Sequence, residues 1–449
     1  MISLIIMVAI ASVIGHFASG SILGLMNTPP EIIADSEAYL DEIFKGLIFM
    51  FLYNLYTSVL RGVGDSKTPL YFLIISSILN IVLDLVYVVQ FGLGVRGVAI
   101  ATVQSQAVSA VLCIIYTNIR IPLFRLGLRD LRVEIHNYLE RRCHVSYDPD
   151  KEIVVTVGGS EGIDIAMRAM LDPGDEVLIP QPSYVSYVPC TILAGGVPVT
   201  VELEEKDRFR LTKEKVLEKL TPKTKILVLP FPNNPTGSIL EKEDLEAIAD
   251  VVREKDLFVI SDEIYSELTY GRHHCTIAAL SGMKERTVLI NGFSKSYAMT
   301  GWRLGYACAP EAILRQMLKI HQYAIMCAPT TSQYAAVEAL RNGDRDVEEM
   351  REAYDQRRRF LVKALRDMGL DCYEPQGAFY VFPCIKKFGM SSDTFALRLL
   401  EQEKVAVVPG TAFGDCGEGY LRISYAYSLQ DLKRALERMG RFVASLEEM

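Results

Sequence analysis

Two different patterns of apolar and polar positions divide this chain. Before residue 120 the apolar residues run together in four stretches, roughly Ile2–Met26, Ile43–Leu60, Pro69–Phe91 and Gly97–Tyr116. Each is near the length of about 20 residues with which a helix spans a bilayer. From about residue 126 the apolar runs shorten, gain β-branched residues and alternate with amphipathic helical patterns. Strands are predicted at Glu152–Val157, Glu176–Pro180, Val197–Leu203, Lys225–Pro230, Leu257–Asp262, Thr287–Ile290 and Leu304–Ala309. Seven such runs separated by helices predict a mostly parallel α/β sheet covered on both faces. A long helix around Val347–Met368, strands near Phe379–Phe382, Val405–Val408 and Tyr420–Ser424, and a last helix from Leu429 predict a smaller C-terminal α+β domain. The expected organisation is an all-α membrane segment at 1–120, a junction at 121–132, a large domain at 133–325 and a small domain at 326–449.

Charge sharpens the division. Residues 1–120 carry 7 acidic and 5 basic side chains, while the other 329 of the 449 residues carry the remaining 90 charges. The net charge of −8 argues against a nucleic-acid binder, which presents a basic face. Half the residues are apolar, which excludes a disordered chain. The 9 cysteines are scattered without a CxxC pair, which excludes a disulfide scaffold and zinc-ligand spacing and suits a reducing compartment. His136, His144, His273, His274 and His321 show no ligand spacing either, so no metal is expected. The loop after the first apolar stretch is acidic, with Glu31, Asp35, Glu37, Asp41 and Glu42. Arg61 and Lys67 follow the second stretch, and Arg120, Arg125, Arg129 and Arg132 follow the fourth. The positive-inside rule then places the basic loops, and everything after them, in the cytoplasm. Asp84 falls inside the third stretch, where an acid is either a proton or cation ligand or lies near enough to the span end to stay wet.

The stretches "LRGVGDSKTP" (Leu60–Pro69) and "FGLGVRGVAIATV" (Phe91–Val103) resemble the multidrug and toxic-compound extrusion (MATE) transporters. Those transporters carry a dozen spans in two halves, so about 120 residues here are expected to be a fragment. Two phosphate-loop look-alikes in the same region are set aside. Gly62-x-Gly64-Asp65-Ser66-Lys67 lacks the glycine before the lysine, and Gly92-x-Gly94-x-x-Gly97 lies between apolar stretches rather than after a strand.

In the second part, polar motifs follow the predicted strand ends, where open α/β sheets bind ligands. They are "VTVGGSEGIDIAMRAM" (Val155–Met170), "FPNNPTG" (Phe231–Gly237), "ISDEIY" (Ile260–Tyr265) and "NGFSKSYAMTGWRLGY" (Asn291–Tyr306). Together with a late "LRIS" they resemble the class I/II, fold-type-I aminotransferases that use pyridoxal 5′-phosphate, over about residues 127–449. The resemblance implies transfer of an amino group between an amino acid and a 2-oxo acid. A different fold-type-I reaction, such as C–S β-elimination, would use the same residues. A membrane transport fragment with a passenger domain is the reading from outside enzymology.

What the resemblance implies for single residues follows the chemistry of each. Lys295 holds the cofactor covalently and shuttles the substrate proton, for which its amine must be largely unprotonated. Asp262 pairs with the pyridine nitrogen, and Asn234 and Tyr265 tune the ring oxygen. Tyr184 stacks on the ring. Gly159, Ser160 and Glu161 open a helix whose free N–H groups suit a phosphate, and Ser294 and Arg303 complete the cup. Arg422, with Asn234, grips the substrate carboxylate through a guanidinium fork. Family members pair as homodimers and begin with an arm that closes over the substrate. Nothing in residues 1–126 fits that arm, so cofactor binding is expected to survive weakened and turnover to suffer more.

Overall fold

The computed structural model describes residues 2–26, 28–62, 67–120 and 128–447. The junction expected at 121–132 lies outside the described residues as far as residue 127, as do positions 63–66 of the Leu60–Pro69 stretch. The chain forms two compact units, Met1–Leu126 and Gly127–Met449.

The first unit holds helices α1 (Ile2–Leu25), α2 (Pro30–Gly62), α3 (Thr68–Asp84) and α4 (Gly94–Arg120), with α3 continued by a π-helical turn at Leu85–Gln90. Among the described residues, two stretches are long and apolar enough to cross a membrane, Thr68–Gln90 and Gly94–Thr117. The other two expected spans fall on α1, whose apolar part is the shorter Ile10–Leu25, and on the second half of α2, whose first half is acidic. Leu70, Leu73, Ile74, Ile78 and Ile81 of α3 are exposed. Asp84 closes α3, and its carboxylate Oδ1 is enclosed without a hydrogen-bond partner.

The second unit begins with α5 (Leu128–Cys143) and is built on seven strands. These are β1 (Ile153–Thr156), β2 (Glu176–Gln181), β3 (Val197–Glu202), β4 (Thr224–Leu229), β5 (Phe258–Asp262), β6 (Thr287–Gly292) and β7 (Gly305–Cys308). Every one stands where the apolar pattern puts it, within two residues at either end. The order is β1-β7-β6-β5-β4-β2-β3, and only β7 runs against its neighbours. Helices α6 (Gly159–Met170), α7 (Tyr187–Leu193), α8 (Lys213–Lys219), α9 (Lys242–Glu254), α10 (Phe293–Ser296), α11 (Glu311–Ala324) and α12 (Thr330–Asn342) connect or follow the strands.

Alternation along the strands explains why the runs read as continuously apolar. In β4, Ile226 and Val228 face one core with Ile163, Met167, Ile260 and Met317. Leu227 and Leu229 face the opposite core with Leu245, Ile248, Val252 and Val259. Successive side chains point to opposite faces, so a strand buried on both sides needs an apolar residue at each position.

The remaining strands, β8 (Tyr380–Val381), β9 (Val408–Pro409) and β10 (Leu421–Ser424), form a separate antiparallel sheet in the order β8-β10-β9. It packs with α13 (Asp344–Asp367), α14 (Ser392–Glu403) and α15 (Leu429–Glu447) around Leu361, Phe395, Leu399, Leu421 and Phe442. The small α+β grouping is therefore present, with shorter strands than the sequence pattern suggests.

One close approach fixes the mouth of the large sheet. A Cβ on Gly305, the first residue of β7, would lie 2.6 Å from the carbonyl carbon of Gly158 and 2.7 Å from the nitrogen of Gly159. Both neighbours are backbone and cannot turn aside, so the β1–α6 turn can rest on β7 only where no side chain intervenes. Gly305→Ala should lower unfolding stability by about 1–3 kcal/mol, the usual cost of overpacking a tight site. Gly301→Ala, with nothing within 4 Å of its Cβ position, should change it by less than about 0.5 kcal/mol. Denaturant melts of the two variants check this, and equal stability would remove the close approach as a constraint.

Candidate active site

The segments that follow β1, β4, β5 and β6 open into one cavity of about 300 Å³. β1 and α6 deliver Gly159 and Ser160, and β4 is followed by Asn234. β5 ends at Asp262 with Tyr265 just beyond, and α10 carries Ser294 and Lys295. Arg303 comes from the loop before β7, and Arg422 reaches in from β10 of the small sheet. Tyr184 closes one side. Ten of the eleven residues expected from the sequence line this cavity. Glu161 does not, because its carboxylate is bonded to the Val157 N–H and to His321.

The charge arrangement is one-sided. Lys295, Arg303 and Arg422 line the cavity, Asp262 is the one carboxylate there, and none of the three cations has a carboxylate partner among the described residues. Such a site calls for anions. Burial lowers the pKa of the Lys295 amine, and the guanidiniums of Arg303 and Arg422 lower it further. A lysine so placed is uncharged at a lower pH than its surface counterparts, as a nucleophilic amine must be.

Asp262 is 8 % exposed. Burial raises its pKa, while the hydroxyl of Tyr187 (2.7 Å to Oδ2) and the Ile264 N–H (3.2 Å to Oδ1) hold it down. Arg422 donates to Asn234 Oδ1 at 3.0 Å and lies over the ring of Tyr380, 4.6 Å from its centroid. Its Nε is enclosed without a partner. The hydroxyls of Tyr265 and Tyr380 are 3.0 Å apart, and Ser160 Oγ is 3.2 Å from the Tyr184 hydroxyl.

The β1–α6 turn depends on Gly158, whose φ of +83° is left-handed. A Cβ there would stand 2.9 Å from an Arg303 guanidinium nitrogen, so glycine lets the guanidinium approach the helix start. Free N–H groups at a helix N-terminus beside a guanidinium form an anion cup.

Sequence reasoning missed Tyr187, Tyr380 and Thr300. Tyr187 stands three residues after Tyr184 in "PSYVSY" and could have been read from that spacing. Tyr380 reaches the cavity only because β8 is folded against it.

Comparison with known proteins agrees with this geometry. The family described as "Aminotransferase class I and II" matches residues 123–439. The chain belongs to that family. It is similar to the aspartate aminotransferase of Pyrococcus abyssi, 49 % identical over 319 residues, covering 70 % of this chain and 82 % of that one. It is also similar to aromatic-amino-acid aminotransferase 2 of Thermococcus litoralis, 45 % identical over 319 residues, with 70 % and 82 % covered. The crystal structure of an aromatic aminotransferase from Pyrococcus horikoshii superposes with a TM-score of 0.70 at 47 % identity, covering 72 % of this chain and 87 % of that one. A second family, MatE, matches residues 1–86, so the Phe91–Val103 stretch lies beyond that match.

This aminotransferase transfers amino groups with pyridoxal 5′-phosphate as cofactor. The residues present fit that group. A half-buried lysine, a buried carboxylate, an anion cup and an unpartnered guanidinium Nε are the donors a phosphorylated pyridine aldehyde and a carboxylate substrate need.

The electrostatics predict a pH effect. The Lys295 pKa is lower folded than unfolded, so the folded chain binds fewer protons between the two values and stability rises with pH across that window. Removing a neighbouring cation narrows the window from below. In Arg422→Gln the onset of Lys295 modification by an amine reagent should move to higher pH. Mass spectrometry of the modified peptide across a pH series reads this, and an onset unchanged or moved downward contradicts the assignment.

Proposed function

We propose that the cavity is the transamination site and that each lining residue acts as its chemistry suggests. When bound, pyridoxal phosphate supplies a ring that takes up the electrons left when an amino acid loses its α-proton. Lys295 would hold the cofactor covalently through Nζ, and its amine would move the proton at the substrate Cα. Its lowered pKa supports that role. Asp262 keeps a proton on the ring nitrogen, supported by its burial and by the hydroxyl of Tyr187 that holds its carboxylate in place. Gly159, Ser160, Ser294 and Arg303 bind the phosphate. Tyr184 covers the ring, and Asn234 and Tyr265 set its oxygen. Arg422 binds the substrate carboxylate, supported by its unpartnered Nε and its link to Asn234.

The substrates are an amino acid and a 2-oxo acid, in keeping with relatives named for aspartate and for aromatic amino acids. The second unit divides near residue 325 into a large cofactor-binding domain and a small one, supported by their separate sheets. Exposed Trp302, Tyr323 and Met326 support pairing with a second copy. The single observation that carries the functional reading is the half-buried lysine beside two guanidiniums that have no carboxylate partner among the described residues, at the carboxyl edge of the sheet.

Lys295→Ala should abolish the borohydride-fixed cofactor label and lower amino-group transfer by about 8 kcal/mol of barrier or more, the low end of enzymic acceleration. Label recovered by mass spectrometry on another lysine overturns the assignment. The same single-turnover assay, run on the natural chain and on one with a family arm ahead of residue 127, reads what the absence of that arm costs. Equal rates would make the arm dispensable.

Residues 1–120 insert into a membrane, with the second unit in the cytoplasm. The MatE match, the two apolar stretches and the exposed apolar side chains of α3 support this. The chain should stay with the membrane fraction through an alkaline carbonate wash, and proteolysis of inverted vesicles should digest the second unit. Release by the wash, or protection of the second unit, overturns the proposal.

A further inference from the structure

We infer that His321 is a positioning residue for the phosphate turn, acting through Glu161; this rests on the site reading above. Glu161 sits in the first turn of α6, beside the N–H groups of Gly159 and Ser160 that form the anion cup. A helix N-terminus attracts any anion, so a carboxylate built into that turn competes with a bound phosphate for the same positive end. The chain resolves the conflict by turning the carboxylate away. Glu161 Oε2 accepts the Val157 N–H at 2.5 Å, and Oε1 lies 2.6 Å from Nδ1 of His321. Both oxygens are thereby occupied outside the cavity, while the two residues before Glu161 line it.

His321 is built to hold that position. It is 4 % exposed and lies in the last turn of α11, which packs against α6. Its carbonyl accepts the N–H groups of Ile325 and Met326 at 2.9 and 3.0 Å, which fixes its backbone where the helix ends. No other cation is free to restrain Glu161 from within α6, because Arg168 pairs with Asp164 at 2.9 Å. Without His321 the carboxylate is released toward the N–H groups of the turn and toward Arg303, the guanidinium beside Gly158. The Thr156–Val157 peptide loses its brace at the same time. A residue that serves packing alone has no reason to act through the charge of Glu161, and this separates the two roles.

The test is equilibrium binding of pyridoxal phosphate, and of pyridoxal without the phosphate, to the full-length chain freed of cofactor. Thermal melts confirm that each variant is folded. His321→Ala should weaken pyridoxal phosphate binding by about tenfold or more and leave pyridoxal binding within about twofold. Glu161→Gln in the His321→Ala background removes the competing charge and should recover most of the lost affinity. His321→Asn, whose side-chain amide offers a donor in the place of Nδ1, should bind nearly as tightly as the parent and serves if the alanine variant does not fold. A double variant no tighter than His321→Ala overturns the inference, as does an equal loss for pyridoxal and its phosphate. A parent chain that binds neither overturns the site reading itself, and this inference with it.

Discussion

Three basic side chains, Lys295, Arg303 and Arg422, share one cavity with a single lining carboxylate, Asp262. Grouping Lys295, Arg303 and Arg422 is unfavourable in isolation, since like charges repel and the partly buried Lys295 and Arg422 also lose hydration. The second unit is organised so that the strain falls on the lysine. Burial lowers the pKa of the Lys295 amine, and the two guanidiniums, which keep their protons, lower it further. An anion bound in the cavity relieves that repulsion.

Holding this grouping together falls to separate elements of the fold. Lys295 is presented by the short α10 after β6, Arg303 by the loop that enters β7, and Arg422 by β10 of the small sheet. Asp262, the one lining carboxylate, is the last residue of β5. Its environment pulls in opposite directions, burial raising its pKa while Tyr187 and the Ile264 N–H lower it. The parallel sheet supplies the rigidity, because its strands are packed on both faces and their carboxyl ends cannot drift apart without opening both cores. In the same sheet, Gly305 and Gly158 let the β1–α6 turn, β7 and Arg303 approach within a distance that any side chain would prevent.

The first unit follows a different physics. Its apolar side chains on α3 face outward, and its charges gather at the start of α2. The side chains that line the cavity come from residues 158–422 of the second unit.

The sequence by itself determined the seven strands of the large sheet and the small α+β grouping, and ten of the eleven residues it singles out line one cavity. Strands buried on both faces leave an unmistakable apolar run, and polar residues placed right after such runs must lie at the sheet's carboxyl edge. Tertiary structure decided what local pattern cannot encode. That β7 runs against its neighbours depends on the pairing partner rather than on any residue within it. Tyr380 and Arg422 meet the cavity because the small sheet folds back on the large one, more than a hundred residues from β5 and its Asp262. Glu161 reads in sequence as part of the phosphate cup, yet its carboxylate is claimed by His321, 160 residues away. A side chain's direction is set by the strongest partner within reach, and only the folded chain brings that partner there.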